Sequence, residues 1–256
     1  KIVGPRTYKT QGIVLKHMSL GEADRLVTLF TPDKGKIRVV ARGVRRSTNR
    51  MRGHLEQLSH VHLSVARGRS LDVVSESETL DSFRELRENL DLVSMAIFMT
   101  ELIDAFSSEE SASQLEFNLL MSVLHVLPEA SSTIQLMTYF ETKLLGIAGF
   151  GPELRSCVQC GNNLEPRAHL FSAPEGGLYC PKCRPTYTRT MRSVTVNAIK
   201  VLRFYQKESL IKSMGIRLPN DLLEEVEHFL QSYLRFVLER ELKSLEFMNR
   251  VHNVGL

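Results

Sequence analysis

The stretch Arg25-Leu-Val-Thr-Leu-Phe-Thr31, Pro32-Asp-Lys-Gly35, Lys36-Ile-Arg-Val-Val-Ala41 decides how the front of this chain folds. Two short runs rich in Val, Ile and Leu flank a turn with a mechanism. Pro32 presets φ, and Gly35 accepts a positive φ that a side chain resists. A hairpin is expected here. Working outward, Gly12–Leu20 is rich in Ile, Val and Leu, His60–Ala66 alternates as HVHLSVA, and Leu71–Ser75 follows after Gly68. Five short strands with turns between them suit a small barrel. An OB-type barrel is the economical reading, and an SH3-like barrel fits the same pattern.

Beyond Leu80 the period changes. Leu92, Met95, Ala96, Met99, Leu102, Ile103 and Phe106 recur at spacings of three and four, one face of an amphipathic helix. Leu115–Leu127 and Ile134–Ile147 repeat the pattern. Asp221–Glu246 is expected as another long helix, capped by Asn220 or Asp221 after Pro219. The class is therefore α+β: an N-terminal five-stranded OB-type β-barrel followed by an all-helical domain with an inserted four-cysteine zinc knuckle. The expected divisions are 1–80, 81–150, 151–190 and 191–256. Met95, Met99 and Met137 read as core rather than as a peptide groove.

Charge sharpens this division. The 256 residues carry a net +4. Residues 1–70 hold 15 Lys and Arg against 4 Asp and Glu, whereas residues 71–150 hold 3 against 14. So basic a segment, without an amphipathic basic helix, points to a polyanion, nucleic acid in preference to a bilayer. No apolar run is long enough to cross a membrane; the longest stretches, such as Leu92–Met99, are far too short, and Ser94 interrupts even that one. Lys1-Ile-Val-Gly-Pro5 shows no apolar signal core. The acidic segment reads as a solvated helical surface, or as a docking face for a basic partner or an intramolecular neighbour.

The basic residues concentrate in Arg42, Arg45, Arg46, Arg50 and Arg52, with Lys34, Lys36 and Arg38 upstream and Arg67 and Arg69 downstream. The Ser47-Thr48-Asn49 insert reads as a mobile loop. A guanidinium fork matches phosphate, and each phosphate neutralised releases counterions regardless of base sequence. Only Tyr8 and Phe30 are aromatic in residues 1–70, and Phe30 reads as core. Stacking platforms are therefore scarce. We expect electrostatic binding of single- and double-stranded DNA alike, with little base preference. Glu22 and Asp24, beside Arg25, are expected to order a turn or receive an Arg.

Four cysteines are present, as Cys157-Val-Gln-Cys160 and Cys180-Pro-Lys-Cys183. Two CxxC turns bring four thiolates to one tetrahedral ion, and four thiolates leave no open position. A structural zinc, one per chain, is expected at Cys157, Cys160, Cys180 and Cys183. An iron–sulfur cluster is the less economical occupant. Disulfides would need an export route. His60 and His62 share a strand face but lack the acidic or Cys neighbours of a metal site. No P-loop, HExxH or GxSxG motif occurs, so catalysis is not expected.

Several stretches resemble the bacterial recombination-mediator family RecO. They are Gly21-Glu-Ala-Asp-Arg-Leu-Val-Thr-Leu-Phe-Thr31 through Gly35 to Val39-Val-Ala-Arg-Gly-Val-Arg-Arg46; Glu141-Thr-Lys-Leu-Leu-Gly-Ile-Ala-Gly-Phe-Gly-Pro-Glu-Leu-Arg-Ser-Cys157-Val-Gln-Cys160; and Phe171-Ser-Ala-Pro-Glu-Gly-Gly-Leu-Tyr-Cys180. The resemblance implies an OB domain, a helical body and a zinc site. It implies a non-enzymatic role in recombinational repair: binding DNA, annealing complementary strands, working with RecR, and helping RecA displace single-strand-binding protein. That protein's acidic C-terminal tail is an implied contact of the helical body. Arg192, Lys200, Arg203 and Lys207 are the cations that could receive it. A bacterial cytoplasmic location follows from the resemblance, at the nucleoid during repair.

Overall fold

The structure is a computed structural model and describes residues 6–47, 49–109, 111–185 and 191–239. The first five strands are β1 (Thr7–Leu20), β2 (Asp24–Thr31), β3 (Gly35–Ala41), β4 (His60–Ala66) and β5 (Asp72–Asp81). They close a barrel in the order β1-β2-β3-β5-β4. That is the OB arrangement, and it removes the open edges that a five-stranded sheet would expose. Alternation sets the interior: Val27, Leu29, Ile37, Val39, Ala41, Val61, Leu63 and Val65 point inward and are buried. Pairing of β3 with β5 is parallel and short, Val39 with Asp72 and Val40 with Val73. β1 begins five residues earlier than its apolar run, and β5 continues six residues beyond Ser75.

Three helices follow: α1 (Arg84–Arg87), α2 (Leu90–Phe106) and α3 (Gln114–Val126). Asn89 caps α2 by accepting from the N–H groups of Asp91 and Leu92, and Ser113 caps α3 through Glu116 N–H. These helices group with the barrel; among the described residues one compact unit ends at Pro128 and the other begins at Glu129. Contacts of two kinds join these helices to the barrel. Phe30 on the barrel's outer face is fully buried, with Phe117 of α3 at 6.3 Å between ring centres. Lys16 and Lys36 reach from two strands to one carboxylate, Asp104 of α2, at 2.5 and 3.2 Å.

Glu109 and Ser111 then meet the start of β3. Glu109 bridges Lys36 in a parallel β-bridge. Gly35 turns with φ +63°, and the Ser111 carbonyl oxygen stands 2.0 Å from where a Cβ would be. Part of the acidic segment thus meets an intramolecular neighbour, one of its expected roles.

The second unit contains α4 (Thr133–Ile147), a small antiparallel sheet of β6 (His169–Ser172), β7 (Gly177–Tyr179) and β8 (Arg192–Val194) in the order β7-β6-β8, then α5 (Val196–Lys207), α6 (Leu210–Met214) and α7 (Asn220–Leu238). Its aromatic core includes Phe171, which meets Phe229 and Tyr233 edge-on at 4.7 and 5.0 Å. Ser132 and Thr195 cap α4 and α5. α7 starts after Pro219 without a side-chain cap, so neither Asn220 nor Asp221 takes that role. The expected continuation of α7 from Arg240 to Glu246 lies outside the described residues. Met95, Met99 and Met137 are buried, as core. Among the described residues no helix is long and apolar enough to cross a membrane.

Candidate metal centre and basic face

The cysteine cluster is built from two tight turns. Cys157 N–H donates to the Asn162 carbonyl (2.9 Å), and Gly161, at φ +72°, donates back to the Cys157 carbonyl (2.8 Å). β7 leads directly into the second turn, where Cys183 N–H donates to the Cys180 carbonyl at 3.1 Å. Val158 N–H to the Leu178 carbonyl (3.0 Å) ties the first turn to β7. All four sulfurs lie within 4.8 Å of one another. Cys160 and Cys180 stand 3.8 Å apart. The edge of a thiolate tetrahedron around a metal at a metal–sulfur distance of ~2.3 Å is ~3.8 Å. A disulfide needs ~2.05 Å, and the cysteines are free. This donor set can hold a metal ion.

The turns shift the thiols in opposite directions. Burial works to raise the Cys157 thiol, but backbone N–H groups of Cys180, Cys160 and Gln159 outweigh it and bring the group to about 6. Cys180 N–H donates to Cys157 Sγ at 3.3 Å. Cys183 is pushed the other way, to about 12, chiefly through hydrogen bonds with the Cys180 and Cys160 side chains. Four thiols crowded together cannot all ionise without a cation among them.

The second feature lies on the barrel. Chain leaving β3 makes a turn over Arg42–Arg46, with Gly43 at φ +63° and Arg46 N–H donating to the Gly43 carbonyl at 3.0 Å. Asp24 accepts from Gly43 N–H (2.7 Å), while Arg45 N–H donates to the Ala23 carbonyl (2.9 Å). Asp24 therefore orders a turn, one of its two expected roles. Val44 and Leu55 are fully buried and pin the segment at both ends. Asn49 accepts from Met51 N–H (2.8 Å) and caps a 3-10 turn over Arg50–Gly53. The mobile loop expected from Ser47-Thr48-Asn49 is thus anchored at Asn49; Thr48 lies outside the described residues.

Arg42, Arg45, Arg46, Arg50 and Arg52 are all exposed, and none forms an ion pair among the described residues. Arg42 and Arg46 line one shallow depression with Asp24 and Asn49. Lys34, Lys36, Arg38 and Arg67 instead line a cleft of about 490 Å³ with Tyr8 and Glu109. Cations from Lys34 and Arg67 lie 5.0 and 5.6 Å from the Tyr8 ring centre. Burial and the hydrogen bond to Asp72 (2.9 Å) raise the Tyr8 hydroxyl and keep it protonated. Arg69 is exposed and lines neither concavity.

Not all ten basic residues are equally available. Lys36 is 14% exposed and its ammonium is spent on the Asp104 carboxylate and on the Asp104 carbonyl at 2.7 Å. It braces the barrel against α2. Arg38 pairs with Glu109, but both side chains are half exposed, so the pair is weak and open to competition. These partnerships, with Asp104 and Glu109 as acceptors, carry no local sequence signal. Lys36 and Asp104 stand 68 positions apart in the chain, and Arg38 and Glu109 are as distant, so only the tertiary fold creates either contact. In the second unit, Arg192 and Arg203 are engaged by the backbone carbonyls of His228 and Leu154, whereas Lys200 and Lys207 are exposed.

Comparison with known proteins agrees across the chain. The profile "Recombination protein O N terminal" matches residues 6–83, and "Recombination protein O C terminal" matches residues 87–246. The DNA repair protein RecO of Dehalococcoides mccartyi strain BAV1 is 38% identical over 252 residues, covering 98% of this chain and 99% of that protein. The DNA repair protein RecO of Roseiflexus sp. strain RS-1 is 36% identical over 249 residues, covering 97% and 87%. That of Desulforamulus reducens is 32% identical over 251 residues, covering 98% and 97%. With both halves matched by the two family models and with relatives at 32–38% identity covered over nearly their whole length, this chain belongs to the RecO family.

Proposed function

We propose that the protein is a DNA-binding mediator of recombinational repair that anneals complementary strands and assists RecA on DNA coated with single-strand-binding protein. One observation carries the reading. Five exposed arginines sit on two successive turns fixed by hydrogen bonds to backbone N–H groups, and none of the five forms an ion pair among the described residues. Annealing brings two like-charged strands together, and fixed guanidinium groups offset that repulsion. Phosphate contacts are many and individually weak, so neither strand is trapped. The proposed interface is Arg42, Arg45, Arg46, Arg50 and Arg52, extended along the cleft by Lys34, Arg38 and Arg67, with Arg69 beside it. Lys36 lies along the same path but contributes through the brace to Asp104.

The metal we assign to Cys157, Cys160, Cys180 and Cys183 is zinc, one ion per chain. It cross-links two turns and supplies no reaction, since all four positions of the tetrahedron are filled by thiolates. Iron in the purified protein, measured by atomic emission, would overturn that assignment. Lys200 and Lys207, seven residues apart on one face of α5, are the cations we propose for the acidic tail of single-strand-binding protein. RecR is the proposed ring-forming partner.

The test is a variant with Arg42, Arg45, Arg46, Arg50 and Arg52 all changed to Ala. Strand annealing should be lost. The slope of log affinity against log salt should become shallower by about 3.5, at ~0.7 per single-strand phosphate for five cations. Unchanged annealing and unchanged affinity reject the reading. Annealing by the parent protein should proceed with and without ATP.

A further inference from the structure

The four cysteines are alike as donors but differ in their access to solvent. Cys157 is 1% exposed, Cys180 and Cys183 are half-buried, and Cys160 is exposed. The cause is local. Cys157 is tied in by its sulfur, which accepts from Cys180 N–H at 3.3 Å, and by its neighbour Val158, whose N–H donates to the Leu178 carbonyl. Cys160 stands at the tip of the first turn, inside an exposed run from Gln159 to Asn163. A side chain built at Gly161, beside it, would meet nothing within 4 Å.

Exposure matters because the thiolate, not the thiol, is the form that attacks a peroxide, and a metal ligand is held as thiolate. Cys160 offers such a sulfur to solvent. A second sulfur is already beside it, Cys180 Sγ at 3.8 Å. Bringing the pair to the ~2.05 Å of a disulfide asks only for a small closing of the two turns. Lys182 and Arg184, on either side of Cys183, are exposed cations, and positive charge nearby favours the departure of an anion. The chain holds no cysteine outside this cluster, so an oxidised sulfur has its resolving partner within the cluster and nowhere else in the molecule.

We propose that Cys160 is a site of oxidative modification by hydroperoxides, resolved by Cys180 into a disulfide that opens the metal centre. In the first step the Cys160 thiolate attacks one oxygen of hydrogen peroxide. An S–O bond forms, the O–O bond breaks, hydroxide leaves, and the sulfur is oxidised to a sulfenic acid. In the second step the Cys180 thiolate attacks that sulfur. The S–S bond forms, the S–O bond breaks, and a second hydroxide leaves. Two thiolates have given up two electrons, and one peroxide has become two hydroxides. Only Cys157 and Cys183 then remain as donors, too few for a closed structural site. A dithiol reverses the change, because a disulfide is the product. The five arginines of the basic turns belong to the other compact unit, which contains no cysteine. The inference rests on the metal assignment above, and it adds a reactive state to that site.

The experiment treats the full-length, metal-loaded protein with hydrogen peroxide. Released metal is followed with a chelating dye, and disulfides are mapped by peptide mass spectrometry. The parent should release its metal and gain a Cys160–Cys180 disulfide, and dithiothreitol with added zinc should restore both. Cys160→His keeps a tetrahedral donor set without the exposed thiolate and should release metal about tenfold more slowly. Cys183→His keeps both reacting sulfurs and should match the parent's rate. Metal retained by the parent in peroxide overturns the inference and leaves the metal assignment standing. So does a disulfide mapped to another pair, or equal protection in the two variants. Should either variant fail to hold metal, the mapped disulfide of the parent decides alone. A parent that carries no metal and takes up no zinc defeats the metal assignment instead.

Discussion

Cys157, Cys160, Cys180 and Cys183 place their sulfurs within 4.8 Å of one another, whereas Arg42, Arg45, Arg46, Arg50 and Arg52 spread over a turn and touch no carboxylate of the described residues. Both are clusters of one residue type, close together in sequence. They are held by opposite means. Thiols converge because a common ion would bind each of them, so local turn geometry and the ligand are one specification. Arginines repel each other, and apart from the Arg45 guanidinium, which donates to the Gly21 carbonyl, their side chains do little to fix where they sit. Their placement is delegated to atoms outside the cluster of guanidinium groups: the Asp24 carboxylate that accepts from Gly43 N–H, the Arg45 N–H, buried Val44 and Leu55, and the Asn49 cap. A site defined by its ligand loses its shape when the ligand is lost. A site defined by its scaffold keeps its shape when its charges are removed.

The largest effect expected from this contrast is at the cysteines. Changing Cys160 and Cys183 together to Ser should abolish metal retention and lower the thermal midpoint by about 10 °C, on the order of 3–5 kcal/mol for a chain of this size. Metal content and calorimetry read the two outcomes. The five-fold Arg→Ala variant should by contrast melt within about 0.5 kcal/mol of the parent, since exposed, unpaired charges contribute little to folding. Equal destabilisation of both variants would break the distinction.

Asp24→Ala addresses the scaffold without touching an arginine. It leaves the Gly43 N–H without its side-chain acceptor, at a stability cost of about 1 kcal/mol. DNA affinity should fall about threefold at an unchanged salt slope, because the number of cations is the same but the turn that presents them is loosened. A steeper or shallower slope would mean that Asp24 acts by charge. The smallest effect is expected at Glu109→Gln. Freeing Arg38 should tighten DNA binding about twofold at low salt and cost less than about 1 kcal/mol in stability, the scale of an exposed pair. Weaker binding would mean that the pair positions Arg38 for DNA.

The parts legible in the sequence are those whose cause is local. Period-two runs mark the strands at Arg25–Thr31 and Lys36–Ala41, and Pro32 through Gly35 marks the turn between them. The CxxC pairs specify a metal site outright, because covalent spacing sets the reach of each thiol. Strand ends escape where both faces are polar: Thr7–Gln11 of β1 and the Glu76–Asp81 end of β5 pair through their backbones and carry little apolar pattern. α5 carries a local signal that the sequence reading above did not single out: Ala198, Ile199, Val201, Leu202 and Tyr205 recur at spacings of three and four and form its buried face, behind the Thr195 cap. The attachment of α1–α3 to the barrel depends on Asp104 meeting two lysines from different strands, and on Phe117 meeting Phe30. No window along the chain contains both partners of either contact.

At Gly35 the fit is made by what the residue lacks. The Ser111 oxygen already occupies the volume of a methyl group there, and the backbone is in a left-handed turn. The position is a keyhole, and any other amino acid plugs it. Such a change would leave the barrel's own interior intact while evicting the segment that meets it, and with that segment the Glu109 carboxylate that restrains Arg38. A hybrid that takes its barrel from one relative and its helices from another inherits the same demand. The incoming loop must carry a carbonyl to this one point, or the borrowed halves will share a chain without sharing a seam.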